Sequence, residues 1–184
     1  MRIGVISDTH GSLTAWKEAY NKYFTDTDFI IHCGDILYHG PRNPLPEGYD
    51  PPGLAQELNS LQKMIIFVRG NCDAEVDQLM IDSPIEAPYA HVVTPCFTIL
   101  THHGHTLLPD SLPQKIKSDY NIFISGHTHL AGIKKTENIY LLNPGSPALP
   151  KNESHTPTVA MISEQKITIF NLQTATIFAE MELK

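Results

Sequence analysis

The chain is short of positive charge. In 184 residues, 13 Lys and Arg stand against 20 Asp and Glu, a formal net charge of −7. Coating a nucleic acid or gripping an anionic membrane needs basic clusters, so neither a stable nucleic-acid complex nor membrane association is expected. An enzyme acting on a phosphate ester is not excluded, because bound cations reverse the local field. Cysteine is scarce as well. Cys33, Cys72 and Cys96 are odd in number and widely spaced, which gives no disulfide framework and no C-x-x-C pair for zinc or redox work. The expected compartment is a reducing cytoplasm. Long apolar runs are missing too. The opening MRIGVISDTHG meets polar residues after a short apolar run, so it reads as a buried first strand rather than a signal peptide or a membrane span. No internal repeat or low-complexity linker divides the chain. Its length fits one domain over residues 1–184, with a core that needs no disulfide or structural metal.

What is present alternates between strand and helix patterns. RIGVIS (2–7), FIIHC (29–33), MIIFV (64–68) and NIFIS (121–125) are short β-rich runs, each stopped by a polar or glycine turn. Ser12 is placed to cap a helix over about 13–24, where Leu13, Trp16, Ala19, Tyr20 and Tyr23 recur at helical spacing. Residues 54–62 have a second helical pattern, and PQKIKS a short third one. The stretch 38–53 is too rich in Pro and Gly for regular structure. HVV and FTILTH add β-rich runs in the middle. The tail holds IYLLN, TVAMI, KITIFNL and TIFAEMEL. This order predicts one layered α/β domain with a second, largely antiparallel sheet.

Polar side chains of one chemical kind follow the predicted strands. Asp8 and His10 come after the first, Asp35 after the second and Asn71 after the third; His103 follows FTIL, and His127 and His129 follow NIFIS. In α/β sheets, ligands bind in the crevice outside the carboxyl ends of the strands. Carboxylate, imidazole and amide oxygen suit Mn²⁺, Fe, Zn²⁺ or Mg²⁺, and the lack of thiolates argues against a structural zinc site. Gly11, Gly34, Gly70, Gly104 and Gly126 sit beside these residues, where small residues allow tight turns. Each residue has a bland alternative taken alone. Asp8 and Asp35 could be caps or turn formers, Asn71-Cys72 a turn, and His127 and His129 a polar strand end. Those alternatives would all have to hold at once, in order, at strand ends.

The set DTH (8–10), GD (34–35), GNCD (70–73), HHGH (102–105) and GHTH (126–129) resembles the calcineurin-like metallophosphoesterase superfamily. That family's pattern is D-x-H, G-D, G-N-H-[DE], a lone His and G-H-x-H. The short length and GDILYHGPRNPLPEGY (34–49) resemble the YfcE-type bacterial phosphodiesterases within it. The resemblance implies an α/β fold, a layered β-sandwich flanked by helices. It also implies a two-metal phosphodiesterase of small phosphodiesters, with Mn²⁺ as the expected ion and Fe, Zn, Ni or Mg as alternatives. Asp8, His10 and His129 would hold one metal, Asn71, His103 and His127 the other, and Asp35 would bridge. A water between two such cations becomes hydroxide near neutral pH and attacks phosphorus in line. His103 is taken over His102 and His105 because the family's ligand directly precedes a glycine. A phosphomonoesterase, a nucleotide hydrolase and a non-catalytic scaffold are the other readings within the family. The sequence admits a homo-oligomer.

Cys72 departs from the family pattern, which has His at that position. A thiol is shorter and a poorer acid-base partner near neutral pH. It is therefore expected to leave room for a second ester group and no chemical role for itself. His39 falls where phosphatase relatives carry a phosphate-binding Arg, so it is expected to contact the phosphate or assist the leaving group, with Arg42 a weaker candidate for the same pocket. Other residues fit packing better than chemistry. His91 and His155 are expected in exposed loops and His32 in a strand. Cys33 and Cys96 should be small core residues, and Trp16 and Tyr20 helix packing.

Overall fold

Alternation along the first strand decides where the layers go. In β1 (Arg2–Ile6), Ile3 and Val5 point to one side of the sheet and Ile6 to the other, all fully buried. Gly4 lies on the Ile6 side, where an added Cβ would fall 2.7 Å from the Phe24 ring. The computed structural model describes every residue, Met1–Lys184. After β1 come helix α1 (Leu13–Ala19), which widens into a π-type turn over Tyr20–Phe24, β2 (Phe29–His32), helix α2 (Pro51–Ser60), β3 (Ile65–Val68) and helix α3 (Glu75–Met80). Then follow β4 (Ile85–Glu86), β5 (Ala90–Val93), β6 (Thr98–Thr101), a 3₁₀ turn (Pro109–Ser111), helix α4 (Gln114–Asp119) and β7 (Ile122–Ile124). The tail forms β8 (Gly132–Thr136), β9 (Ile139–Asn143), β10 (Thr158–Ser163), β11 (Lys166–Asn171) and β12 (Ile177–Glu182).

Two sheets face each other. The first runs β12-β11-β10-β1-β2-β3-β4 and the second β5-β6-β7-β9-β8. Ile3, Val5 and Ile31 of the first meet Ile99, Ile122 and Ile124 of the second in the inter-sheet core. The outer core of the first sheet is capped by the helices, through Trp16, Phe24, Leu54 and Leu58. Trp16 stacks on Tyr20 at 6.1 Å, so both are packing residues as expected. The fold is thus the expected α/β sandwich with flanking helices. No helix is long and apolar enough to cross a membrane.

Some expectations need correction. The tail does not build an antiparallel second sheet. β10 pairs with β1 (Arg2 opposite Ser163), so β10–β12 extend the first sheet. The second sheet is mixed: β6-β7 and β7-β9 are parallel, while β5-β6 and β8-β9 are antiparallel. Helix α2 begins inside the proline-rich stretch. The Asp50 carboxylate accepts from Gly53 N at 3.0 Å, and Pro51 and Pro52 occupy first-turn positions where no backbone donor is needed. His91 lies on β5 rather than in a loop. Cys96 is exposed, while Cys33 is buried as expected.

Candidate metal centre

β1, β2 and β3 are parallel, as are β6 and β7, so each set delivers its carboxyl ends to one edge. Asp8 and His10 follow β1, Asp35 follows β2, Asn71 follows β3, His103 follows β6, and His127 and His129 follow β7. Five of these seven have left-handed backbone: Asp8 (φ 56°), His10 (47°), Asp35 (54°), His127 (67°) and His129 (59°). Non-glycine residues there carry strain of roughly 1–3 kcal/mol each and persist where the surroundings hold them. The restraint is visible. Asp8 N donates to Gly34 O (3.0 Å), His10 N to Asp35 O (2.9 Å) and Gly126 N to His103 O (2.8 Å). Two glycines let the loops touch. A Cβ on Gly70 would lie 2.2 Å from Asp35 Oδ1, and one on Gly126 would lie 1.9 Å from Ser7 Oγ.

The side chains converge in two groups. Asp8, His10 and His129 offer ligand atoms mutually within 4.8 Å, and so do Asp35, His103 and His127. His129 Nε2 lies 3.2 Å from Asp8 Oδ1 and 3.2 Å from His10 Nε2. Asp35 faces both groups, with Oδ1 3.4 Å from His103 Nε2 and Oδ2 3.7 Å from His10 Nε2. Three imidazoles are tied down from behind. Nδ1 of His10 pairs with Tyr38 O (2.9 Å), Nδ1 of His103 with Cys33 O (2.7 Å) and Nδ1 of His129 with Leu149 O (2.5 Å). A carbonyl accepts only from a protonated Nδ1, so each imidazole turns its Nε2 inward toward the carboxylates. Asp8 Oδ2 accepts from Ser7 Oγ (2.6 Å) and His127 N (3.0 Å), whereas Asp8 Oδ1 and His103 Nε2 are buried with no hydrogen-bond partner. Buried polar atoms are normally satisfied. Two orphans pointing into a ring of carboxylates and imidazoles fit a bound cation.

The electrostatics agree. Burial pulls the His103 imidazole down, but the facing Asp35 carboxylate, 3.4 Å away, and the Asp8 charge win and push it up to about 9. A proton on His103 then supplies the positive charge that the carboxylates demand. Burial raises both Asp8 and Asp35, yet their histidine partners hold each below its ordinary value. His10 and His127 are lowered, chiefly by burial. His102 is pulled down to about 4, first by burial. Its Nδ1 accepts from Gly104 N (2.8 Å) and its Nε2 pairs with Thr106 Oγ1 (3.0 Å), while of the HHGH histidines it is His103 whose ring nitrogen groups with Asp35 and His127. His32 pairs with Thr9 Oγ1 (2.9 Å) and stays out of the centre.

Beside the two groups lies a cavity of about 790 Å³, lined by Arg42, Asn71, Cys72, His127, His129 and Lys151 among others. Asn71 is exposed, and its Nδ2 sits 3.2 Å from Cys72 Sγ. His39 is not in that lining. Its half-buried ring sits against Tyr38 and Tyr49, with Nδ1 3.3 Å from Tyr49 Oη. Cys72 comes closer to the centre than its sequence position implied: its Sγ, Asp35 and His10 offer atoms mutually within 4.8 Å. Burial and then the Asp35 charge push that thiol up to about 12. Lys151 was not legible, since nothing in SPALPKN sets it apart. Its backbone N–H donates to His129 O (3.2 Å), which fixes it beside the cavity. Asp73 also does more than its motif position indicated. It accepts from Asp35 N (2.8 Å), Ile36 N (2.7 Å) and Gly70 N (2.7 Å), clamping the Asp35 and Asn71 loops together. Burial pushes its carboxyl up to about 6 against those donors.

A parallel-strand edge carrying paired Asp/His groups with inward-facing ring nitrogens defines the class. Residues 1–166 match the calcineurin-like phosphoesterase superfamily domain, and the chain belongs to that family of metal-dependent hydrolases. Over all 184 residues it is 35% identical to phosphodiesterase YfcE of Escherichia coli K12, covering 100% of this chain and 98% of the relative. The solved structure of YfcE, a phosphoesterase from E. coli, is similar over 100% of both chains with a TM-score of 0.91 at 34% identity. Vacuolar protein sorting 29 from Cryptosporidium parvum shares the fold at a TM-score of 0.69 and 17% identity, over 100% of this chain and 97% of that one.

Proposed function

We propose that the protein is a phosphodiesterase of small diesters that uses two divalent cations, Mn²⁺ first, with Fe, Zn, Ni or Mg as alternatives. The observation that carries the reading is the pair of buried orphan atoms, Asp8 Oδ1 and His103 Nε2, 4.0 Å apart, with the Asp35 carboxylate 3.4 Å from the second. Asp8, His10 and His129 would hold one cation, Asn71, His103 and His127 the other, and Asp35 would reach both. Bound divalent cations supply Lewis acidity, acidifying a water and neutralising phosphoryl oxygens. The chain does the rest. Backbone carbonyls behind His10, His103 and His129 keep the ring nitrogens aimed, and Asp73 holds the Asp35 and Asn71 loops in register. Arg42 and Lys151 bring positive charge to the cavity wall, suited to the anionic oxygens of an entering diester. His39 lies against Tyr49, outside that wall, so Arg42 is the favoured phosphate contact.

The proposed setting is the cytoplasm. The partner is a small phosphodiester, with no nucleic-acid complex or membrane, and self-association is compatible with the reading. A scaffold role is disfavoured by the intact ligand set. The test is turnover of bis(p-nitrophenyl) phosphate against p-nitrophenyl phosphate with Mn²⁺ added. Preference for the diester is expected. Turnover of the monoester alone would transfer the assignment to a phosphomonoesterase.

A further inference from the structure

The metal-site cavity has an apolar annex. A recess of about 260 Å³ is lined by ten residues, seven of them hydrophobic, and it shares Tyr38, Cys72 and Ala74 with the cavity beside the metal ligands. Its far walls come from Tyr49, from Pro51 at the start of α2, and from Val76 and Met80 on α3. Tyr38, Val76 and Met80 are 42%, 57% and 40% exposed. Single exposed apolar residues are ordinary, but several that converge on one concave recess mark a ligand site. The Tyr49 hydroxyl is already engaged by His39 Nδ1 at 3.3 Å. The opposite side of the cavity differs. Through Asn43 and Lys151 it continues into a groove of about 520 Å³, whose fifteen lining residues include only three hydrophobic ones.

A phosphodiester carries two alcohol arms on one phosphate. With the phosphate at the metal centre, an arm that turns past Tyr38 and Cys72 enters the annex. Cys72 is small and the doorway is correspondingly wide; a Cβ on Gly40 would fall 2.8 Å from its Sγ, so the thiol is packed against the loop that carries Tyr38. Met80 at the far wall is flexible and polarizable, which suits apolar groups of varied shape. We infer that the recess formed by Tyr38, Tyr49, Pro51, Val76 and Met80 is the subsite for an apolar ester arm, so that the substrates are phosphodiesters with at least one alkyl or aryl alcohol. This rests on the proposed phosphodiesterase reading and narrows its substrate class.

The test measures binding directly by titration calorimetry on the Mn²⁺-loaded protein, with methyl phosphate and hexyl phosphate as probes. Both present the same phosphate, and only the arm differs. Hexyl phosphate is expected to bind at least about tenfold more tightly, or about 1.4 kcal/mol. Val76→Glu and Met80→Glu should each bring the two dissociation constants to within about twofold. Val76 is more than half exposed, so the first of these variants folds even if the second does not. Equal affinities in the unaltered protein, or a tenfold preference that survives in Val76→Glu, would overturn the subsite. Failure of the underlying reading looks different: the hexyl preference would stand while bis(p-nitrophenyl) phosphate was not hydrolysed.

Discussion

Asp8, His10 and His129 are each no more than 2% exposed, whereas beyond Asp35 the second ligand group pairs a buried His103 with a half-buried His127 and an exposed Asn71. The same construction, a ligand just past a parallel strand, produces both halves. What differs is the exposure. His129 also touches the large cavity but is buried, with its Nδ1 held by the Leu149 carbonyl, while Asn71 and His127 border the cavity as exposed and half-buried side chains. In the proposed two-cation reading, the sealed half would hold its ion by fixed geometry and the open half would leave coordination positions for substrate. Asp35 belongs to both halves, so damage there should be shared.

Asp35→Asn is therefore the change with the largest expected effect. It should lower kcat by about 10³-fold or more, about 4 kcal/mol of barrier, and reduce bound metal at both halves, as measured by metal analysis after gel filtration. A turn-forming Asp would tolerate Asn, so near-normal turnover with two bound ions would remove the shared role. Next comes the contrast between halves. Asn71→Ala should weaken one of two Mn²⁺ binding steps by about tenfold or more, about 1.4 kcal/mol. Asp8→Asn should weaken the other step, read by calorimetry. The same step failing in both variants would erase the distinction between sealed and open halves.

The candidate ligands stood out in the sequence because strand-end position, residue chemistry and order along the chain all pointed the same way. The sheet partners of the tail were not. TVAMI reads as a strand by composition, but pairing β10 with β1, Arg2 opposite Ser163 and Val5 opposite Ala160, leaves no local mark. Lys151 was invisible for a similar reason, since its place beside the cavity comes from a backbone bond to His129 rather than from any pattern around it. His39 shows how little a motif position says about a side chain's direction. Alignment to a motif brought it near the phosphate, yet its ring lies against two tyrosines. The left-handed backbone at five ligands was only half visible, through the glycines beside them.

A pH experiment sharpens the comparison on the side of His103. Its imidazole is raised to about 9 in the metal-free fold, so a metal must displace that proton. Affinity of this half for Mn²⁺ should rise by up to about tenfold per pH unit as pH climbs toward 9, then level off. The sign for stability is the opposite in metal-free protein. A folded-state pKa raised above the ordinary 6.5 gives stability that is complete below 6.5 and is lost as pH rises through about 9. Thermal melts with and without Mn²⁺ should therefore diverge with increasing pH. Parallel melts across that window would contradict the assignment.

The smallest expected effects lie outside the ligands. His39→Ala should slow turnover by less than about threefold, under about 0.7 kcal/mol, while Arg42→Ala should raise KM more than it lowers kcat. A large loss in His39→Ala with metals retained would return it to the chemistry.

In the proposed reading one carboxylate, Asp35, joins two cation sites and hydrolysis needs both. Titrating Mn²⁺ into metal-stripped protein, while following bound metal and bis(p-nitrophenyl) phosphate turnover together, tests it most directly. The account predicts two equivalents bound, with activity rising only as the second is taken up. Full turnover in excess chelator, or full activity at a saturated single equivalent, would contradict it.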